Sequence, residues 1–350
     1  MKQNQLPRLH HYLLVTVLTV IIGFLPCVSL ALDTGRDDVR AFINELAKKH
    51  DLDKGYVQTI LAQSETKQKI LDAISRPAEK TRPWHEYREI FITPKRIAAG
   101  KDFLTEHADR LARISAKTGV PAEIITAIIG VETFYGRITG GYRVIDALAT
   151  LGFDYPPRAK FFSGQLEELF LLAQDEQLEL TELIGSYAGA MGPPQFIPSS
   201  YRAYAVDGDG DGRRDLLNNW DDILLSVANY FIKNGWRTGE PVTVRGTSDK
   251  NFQIPTGKNS LKMTETVASL TKQGFVFATD LKAATPAQLI SLEGKTDREY
   301  WIGFHNFYVI TRYNRSAMYA LAVFQLSAAI SAADSGTTRP ATTSPDPTPE

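Results

Sequence analysis

Residues Ile124 to Val131 are nearly all apolar, and a carboxylate, Glu132, follows them directly. A charged side chain beside such a run must be paired, hydrated in a cleft, or kept partly protonated. The third condition is the one a general acid needs. On this stretch alone two other readings stand beside it: a carboxylate facing solvent at a helix end, and one capping a neighbouring turn.

The helix that carries Glu132 has its own punctuation. Gly119 is a natural stop for a preceding helix over Asp102 to Lys117, Pro121 suits a first helical turn, and Gly136 is expected to end the element. Val39, Phe42, Ile43 and Leu46 recur at helical spacing and predict a helix over Asp37 to His50. Further helices are expected over Lys54 to Ala73, Gln165 to Leu178, Trp220 to Lys233, Leu281 to Ile290 (weakened by Pro286) and Ser316 to Ser331. An aromatic, charged stretch from Trp84 to Phe91 leads into a Thr93-Pro94 turn, and Phe307 to Ile310 is a short aromatic segment. Gly185 to Gly212 is too rich in Gly and Pro to be one regular element. Strands are expected between Pro241 and Pro255, where Val242 and Val244 alternate. The fold class is mainly α, with a small α/β insertion at about 240–300.

Both ends of the 350-residue chain read as segments outside the fold. Lys2, Arg8, His10 and His11 precede an uncharged, largely apolar run from Tyr12 to Leu32, and Ser29-Leu30-Ala31 makes a small-x-small cleavage site. Residues 1–31 are therefore expected to be an export signal peptide, with a retained membrane anchor as the alternative. Cys27 follows Phe24-Leu25-Pro26, which lacks the small residue expected before a lipidated cysteine. Residues 332–350, rich in Ser, Thr, Pro and Asp, are expected to be a disordered tail. A net charge of -1 advertises no nucleic-acid partner. Cys27 is the only cysteine, so the processed chain has no disulfide and rests on burial. Export without disulfides suggests a bacterial periplasmic enzyme.

Four blocks then stand in order: Gly130-Val131-Glu132-Thr133; Gly189-Ala190-Met191-Gly192-Pro193-Pro194-Gln195-Phe196-Ile197-Pro198-Ser199-Ser200; Ser226-Val227-Ala228-Asn229-Tyr230-Phe231; and Asn306-Phe307-Tyr308-Val309-Ile310-Thr311-Arg312-Tyr313-Asn314. The second is similar to the lytic transglycosylase signature Gly-x-Met-Gly-x-x-Gln-Phe. Together, over roughly residues 35–331, they resemble the membrane-bound lytic murein transglycosylase B family. That resemblance implies a goose-type lysozyme-like catalytic core, an EF-hand-like loop, an additional α lobe and a small α/β insertion. It also implies a periplasmic, glycoside-cleaving lyase of cell-wall turnover.

Such enzymes cleave the β-1,4 bond between N-acetylmuramic acid and N-acetylglucosamine in peptidoglycan without consuming water. On the family pattern Glu132 is the sole catalytic carboxylate, first giving a proton to the bridging oxygen. The sugar's own 2-acetamido oxygen traps the oxocarbenium-like centre in place of an enzymic nucleophile. Glu132, now ionised, removes the proton of the C6 hydroxyl, which attacks C1 and leaves a 1,6-anhydromuramic end. Both steps call for a moderately raised carboxyl pKa. Two-carboxylate hydrolysis is the chemical rival, but spacing places neither Asp146 nor Asp154 across a cleft from Glu132. Solvated or helix-capping aspartate is the plainer reading of both. A non-catalytic peptidoglycan-binding scaffold is the other rival, and it would be expected to lack the acid.

By the same resemblance Ser186, Met191, Gln195 and Tyr230 line the cleft, joined by Tyr87, Tyr308 and Tyr313 as sugar-stacking aromatics. Core packing stays open for Met191 and turn capping for Ser186, while Arg312 reads as a structural ion-pair partner. Pro193-Pro194 departs from the commoner pattern, in which glycine often precedes the glutamine; two fixed φ angles and two missing donors stiffen that loop.

Asp207, Asp209 and Asp211 occupy positions 1, 3 and 5 of a calcium-loop pattern spanning 207–218, with Gly212 at 6. Arg213 would give its backbone carbonyl at position 7, and Asp215 stands at 9. Position 12 is Asn218, where the standard loop has a bidentate glutamate, so affinity should fall unless Asp221 or Asp222 reaches in. A structural Ca2+ is expected, with a metal-free acidic turn as the alternative, and no cofactor for catalysis. The implied partners are peptidoglycan glycan strands and, beyond them, cell-wall synthesis proteins. Membrane contact is expected only if the N-terminal segment is retained.

Overall fold

The computed structural model describes residues 30–75, 82–248 and 259–332. Most of the predicted export segment, through residue 29, and the predicted tail from residue 333 lie outside the described residues. The helices are α1 Asp37–His50, α2 Lys54–Ala62, α3 Gln68–Ile74, α4 Trp84–Phe91, α5 Pro94–Glu106, α6 Ala108–Thr118, α7 Ala122–Thr133, α8 Val144–Asp154, α9 Ala159–Glu176, α10 Pro198–Tyr204, α11 Trp220–Lys233, α12 Val267–Lys272, α13 His305–Tyr313 and α14 Ala317–Ser331. Among the described residues no single helix is long and apolar enough to cross a membrane.

The axis of the fold is α7. Every residue from Ile124 to Val131 is buried, the condition a helix apolar on all faces needs to be stable in water. α14, α5, α6 and α11 pack around it. Two glycines shape this core. A Cβ at Gly130 would meet the ring of Tyr135 at 2.7 Å, and one at Gly100 would clash with the Tyr135 hydroxyl and Ile330. The gap between α5 and α7 is therefore the slot that receives Tyr135, whose hydroxyl donates to the Arg96 carbonyl at 2.9 Å.

The strands are β1 Leu30–Ala31, β2 Glu65–Thr66, β3 Tyr142–Arg143, β4 Ile184–Gly185, β5 Thr243–Ser248, β6 Glu265–Thr266, β7 Phe275–Val276, β8 Pro286–Glu293 and β9 Arg298–Gly303. The last five form an antiparallel sheet in the order β6-β8-β9-β5-β7 with its own small core at Leu270, Phe275, Ala287, Ile302 and Phe304. The helix predicted over Leu281 to Ile290 is thus corrected. Pro286 opens β8, a strand position where its missing donor costs little, and Gln288 to Glu293 pair with Gly303 to Arg298. Leu289, Ile290 and Leu292 fit either periodicity, and the cross-strand partners decide between them.

Two predicted helices are interrupted by tertiary demands. Lys54 to Ala73 breaks after Ala62, because residues 63–67 are drawn out to serve neighbours. Thr66 and Glu65 pair with Leu30 and Ala31, Ser64 accepts from Leu32 N, and Lys67 N donates to Thr150 Oγ1 at 3.1 Å. Leu30 and Ala31, the end of the predicted 1–31 segment, are therefore paired in this fold. Asp102 to Lys117 breaks at His107, a buried residue stacked on Phe103 at 4.3 Å and on Trp220 at 5.1 Å.

Asp146 and Asp154 are neither solvated nor helix caps. Asp146 is fully buried, paired with Lys67 and Arg143 at 2.8 Å each, and accepts from Glu65 N. Asp154 pairs with Arg36 at 2.7 Å. Both fasten the N-terminal segment to α8.

Candidate active site

α7 ends at Thr133, and the chain leaves it through three consecutive left-handed residues, Phe134 (φ 51), Tyr135 (φ 61) and Gly136 (φ 78). Two of these carry a Cβ, and each such residue costs about 1 kcal/mol or more. Asp51 and Gln177, also at positive φ, are ordinary helix C-caps. Gln195 is the remaining described non-glycine of this kind, so the strained backbone gathers around Glu132 and Gln195. Packing holds the first turn in place: Tyr135 fills its slot, and the Thr133 hydroxyl both accepts from Gly136 N and donates to the Pro193 carbonyl at 2.9 Å.

Glu132 is half-buried at this helix end. Tyr319 reaches it from α14 and donates its hydroxyl to Glu132 Oε1 at 2.6 Å. Burial, reinforced by the charge of Glu132, pushes the Tyr319 and Tyr313 phenols well above the usual tyrosine range. Both therefore remain neutral donors at any physiological pH. Tyr87, buried on α4, lies near enough to Tyr319 to act on it electrostatically, and stacks on Phe91 at 5.2 Å.

The Pro193-Pro194 loop crosses opposite. It has no N–H to offer at these two positions, but both carbonyls are used. Pro193 accepts from Thr133, and Pro194 accepts from the Tyr313 hydroxyl at 2.7 Å. Tyr313 packs on Tyr230 at 4.8 Å and on Phe196 at 5.8 Å, and the Tyr230 hydroxyl donates to the Arg312 carbonyl at 2.5 Å. Burial pushes the Tyr230 phenol up to about 12. Gln195 follows the prolines, and its side-chain amide donates to the carbonyls of Thr139 and Gly192, both at 3.0 Å.

The structure thus gathers Tyr87, Gln195, Tyr230 and Tyr313 with Glu132. Ser186 lies at the base of the same loop. Its hydroxyl oxygen accepts from Ala188 N and Ala190 N, the turn-capping role, which leaves its hydrogen to donate. Two expectations are corrected, those for Met191 and Arg312. Met191 has no exposed surface and its backbone bridges Gly185 and Phe196, so it supports the loop from beneath. Tyr308, five residues along α13 from Tyr313, stands half-buried on a different face of that helix and makes no ring contact with this cluster among the described residues. Arg312 is exposed and forms no ion pair among the described residues, contributing only its carbonyl. Tyr319 was not anticipated. The signal was a lone phenol in a mostly apolar final helix, which reads as packing until its partner is known.

The acidic loop lies between α10 and α11. Asp207, Asp209 and Asp211 bring one carboxylate oxygen each to within 4.8 Å of one another. Asp207 accepts from Gly210 N and Gly212 N, and Asp211 from Arg213 N, so the backbone curls around the carboxylates. Asn218 turns its amide to Asp215 at 3.3 Å, whereas Asn219 faces Asp209 at 2.9 Å. Neither Asp221 nor Asp222 reaches in. Asp221 pairs with Arg110 and Arg113, and Asp222 accepts from Gly208 N and Asp215 N, clamping the loop onto α11. Trp220, the first residue of α11, stacks on Phe103 at 5.1 Å, and a Cβ at Gly136 would meet it at 3.1 Å. Loop, helix start and the turn after Glu132 are in contact. An all-oxygen donor set of this kind suits a hard divalent cation.

The transglycosylase SLT domain family model matches residues 34–328. The chain belongs to this family. Membrane-bound lytic murein transglycosylase B of Escherichia coli (strain K12) is 42% identical over 307 residues, 85% of this chain and 83% of that protein. The catenated lytic transglycosylase SltB1 of Pseudomonas aeruginosa superposes with a TM-score of 0.80 at 48% identity, covering 85% of this chain and 97% of that one. The Escherichia coli lytic transglycosylase Slt35 in complex with calcium superposes at 0.78 with 41% identity, covering 86% and 95%. The mainly α, lysozyme-like architecture is that of the SLT transglycosylases.

Proposed function

We propose that Glu132 acts as acid and then as base in this lytic transglycosylase of peptidoglycan, which works in the periplasm. One observation carries the assignment: a half-buried carboxylate at the end of a buried helix, bonded by a phenol that cannot ionise in the working range. In its protonated form Glu132 gives a proton to the glycosidic oxygen. Once ionised, it is stabilised by the Tyr319 hydroxyl and takes the proton of the C6 hydroxyl. Gln195 has spent both donor hydrogens on backbone carbonyls, so it presents its Oε1 as an acceptor for an acetamido N–H or a sugar hydroxyl. Ser186 keeps one hydrogen to donate. Tyr87, Tyr230 and Tyr313 form the aromatic wall.

Residues 35–331 act as one catalytic region, with the part at about 240–300 as an insertion and residues 1–31 as the export signal. Digestion of intact sacculi with mass analysis tests the reaction. The expected muropeptides end in anhydromuramic acid and are lighter by one water than the reducing products of a hydrolase. Reducing ends alone would reassign the enzyme as a muramidase.

Asp207, Asp209 and Asp211 would hold a structural Ca2+, with the Arg213 carbonyl and the Asn218 side-chain oxygen completing the oxygen set. Bound there, the ion neutralises the three carboxylates and stiffens the loop clamped by Asp222. At a calcium level one hundred times Kd, the melting temperature should rise by roughly 5 °C after prior chelation. An identical melting curve with and without calcium would refute the assignment.

A further inference from the structure

We infer that Lys95, Arg96 and Arg137, gathered on the ring of Phe134, form a subsite for a carboxylate carried by the glycan strand. The inference rests on the function proposed above. Phe134 stands two residues after Glu132, held at φ 51. The Arg96 guanidinium lies 4.9 Å from its ring centroid, that of Arg137 5.3 Å, and the Lys95 ammonium 5.9 Å. Arg96 also lies 5.3 Å from the centroid of Phe91, which stacks on Tyr87. The patch is thus joined to the Glu132 neighbourhood twice, along the chain and through Tyr319, Tyr87 and Phe91.

None of the three cations pairs with a carboxylate among the described residues, and the Arg96 Nε is buried without a partner. Three like charges around one ring repel, and each exposed cation–π contact returns only about 0.5–1 kcal/mol. An anion between them completes the arrangement. Hydroxyls and acetamides of the strand are neutral, so its carboxylates are the groups this patch can select. They come from two sources: the lactyl group of peptide-free N-acetylmuramic acid, or the stem peptide.

The test uses two substrate pairs: peptide-free strands with lactyl groups ionised or converted to methylamides, and peptide-bearing strands with peptide carboxylates ionised or amidated. For each pair kcat/KM for anhydro-product release is measured at low salt. Wild type is expected to prefer the ionised member of one pair by about tenfold. The exposed double variant Lys95→Gln/Arg137→Gln should lose that preference while keeping its melting temperature. Collapse in the first pair assigns the lactyl group, and collapse in the second the stem peptide. Absence of preference in wild type, or a preference the variant retains, overturns the subsite. If wild type makes no anhydro product from any strand, the failure belongs to the proposed reaction instead.

Discussion

Glu132→Gln is expected to lower turnover by roughly a thousandfold or more while leaving the fold and glycan binding intact. The substitution keeps the shape and an oxygen for the Tyr319 hydroxyl to bond, so the packing around α7 has no reason to change. It removes the only feature the reaction uses twice, a proton that can be given and then taken back. A hydrolase with two carboxylates could retain a slow step on a strand with an activated leaving group, because its second carboxylate still attacks or activates water. A lyase with one carboxylate loses both steps together. Anhydro-product release and strand binding measured on the same preparation separate the roles. Product formation near the wild-type rate would remove Glu132 from the mechanism, and loss of binding in parallel would make the residue structural.

The helix that carries Glu132 was legible because its signals are local. Gly119, Pro121 and the nearly all-apolar run Ile124 to Val131 define an element that only a surrounding core can accept, and the structure supplies that core. Trp220 to Lys233 was legible for similar reasons: Asn219 caps the first turn by accepting from Asp221 N, and the apolar spacing does the rest. Non-local pairing hid the remainder. Nothing near Glu65 says that Leu30 and Ala31 will draw it into a ladder, nor does anything near Leu289 announce a partner at Ile302.

The candidate site divides along the same line. Gln195 stood out in a block of unusual composition, yet its donor bonds to Thr139 and Gly192 depend on a left-handed backbone that sequence does not display. Pro193-Pro194 read as a loss of two donors. In the fold the gain lies in the carbonyls, which tie Thr133 beside Glu132 to Tyr313 across the loop. Replacing these prolines would thus be felt through the position of Glu132 relative to the aromatic wall.

Tyr319→Phe should lower kcat by about tenfold to a hundredfold and shift the pH profile in a defined direction. The phenol, raised by burial and by the charge of Glu132, stays protonated and donates to the carboxylate across the working range. A hydrogen bond given to the ionised form favours that form, so deleting the hydroxyl raises the pH at which Glu132 ionises. The protonated acid then persists to higher pH, and the alkaline limb of kcat/KM moves upward. Base catalysis in the second step suffers, because the carboxylate loses both its orientation and its stabilising donor. A purely structural tyrosine would instead lower the melting temperature and scale the profile without moving either limb. Tyr319 is 3% exposed, and Phe preserves the ring, so the fold tolerates the change and the limb can be read cleanly. An alkaline limb that stayed in place, or moved to lower pH, would mean that the Tyr319 hydroxyl does not govern the proton of Glu132.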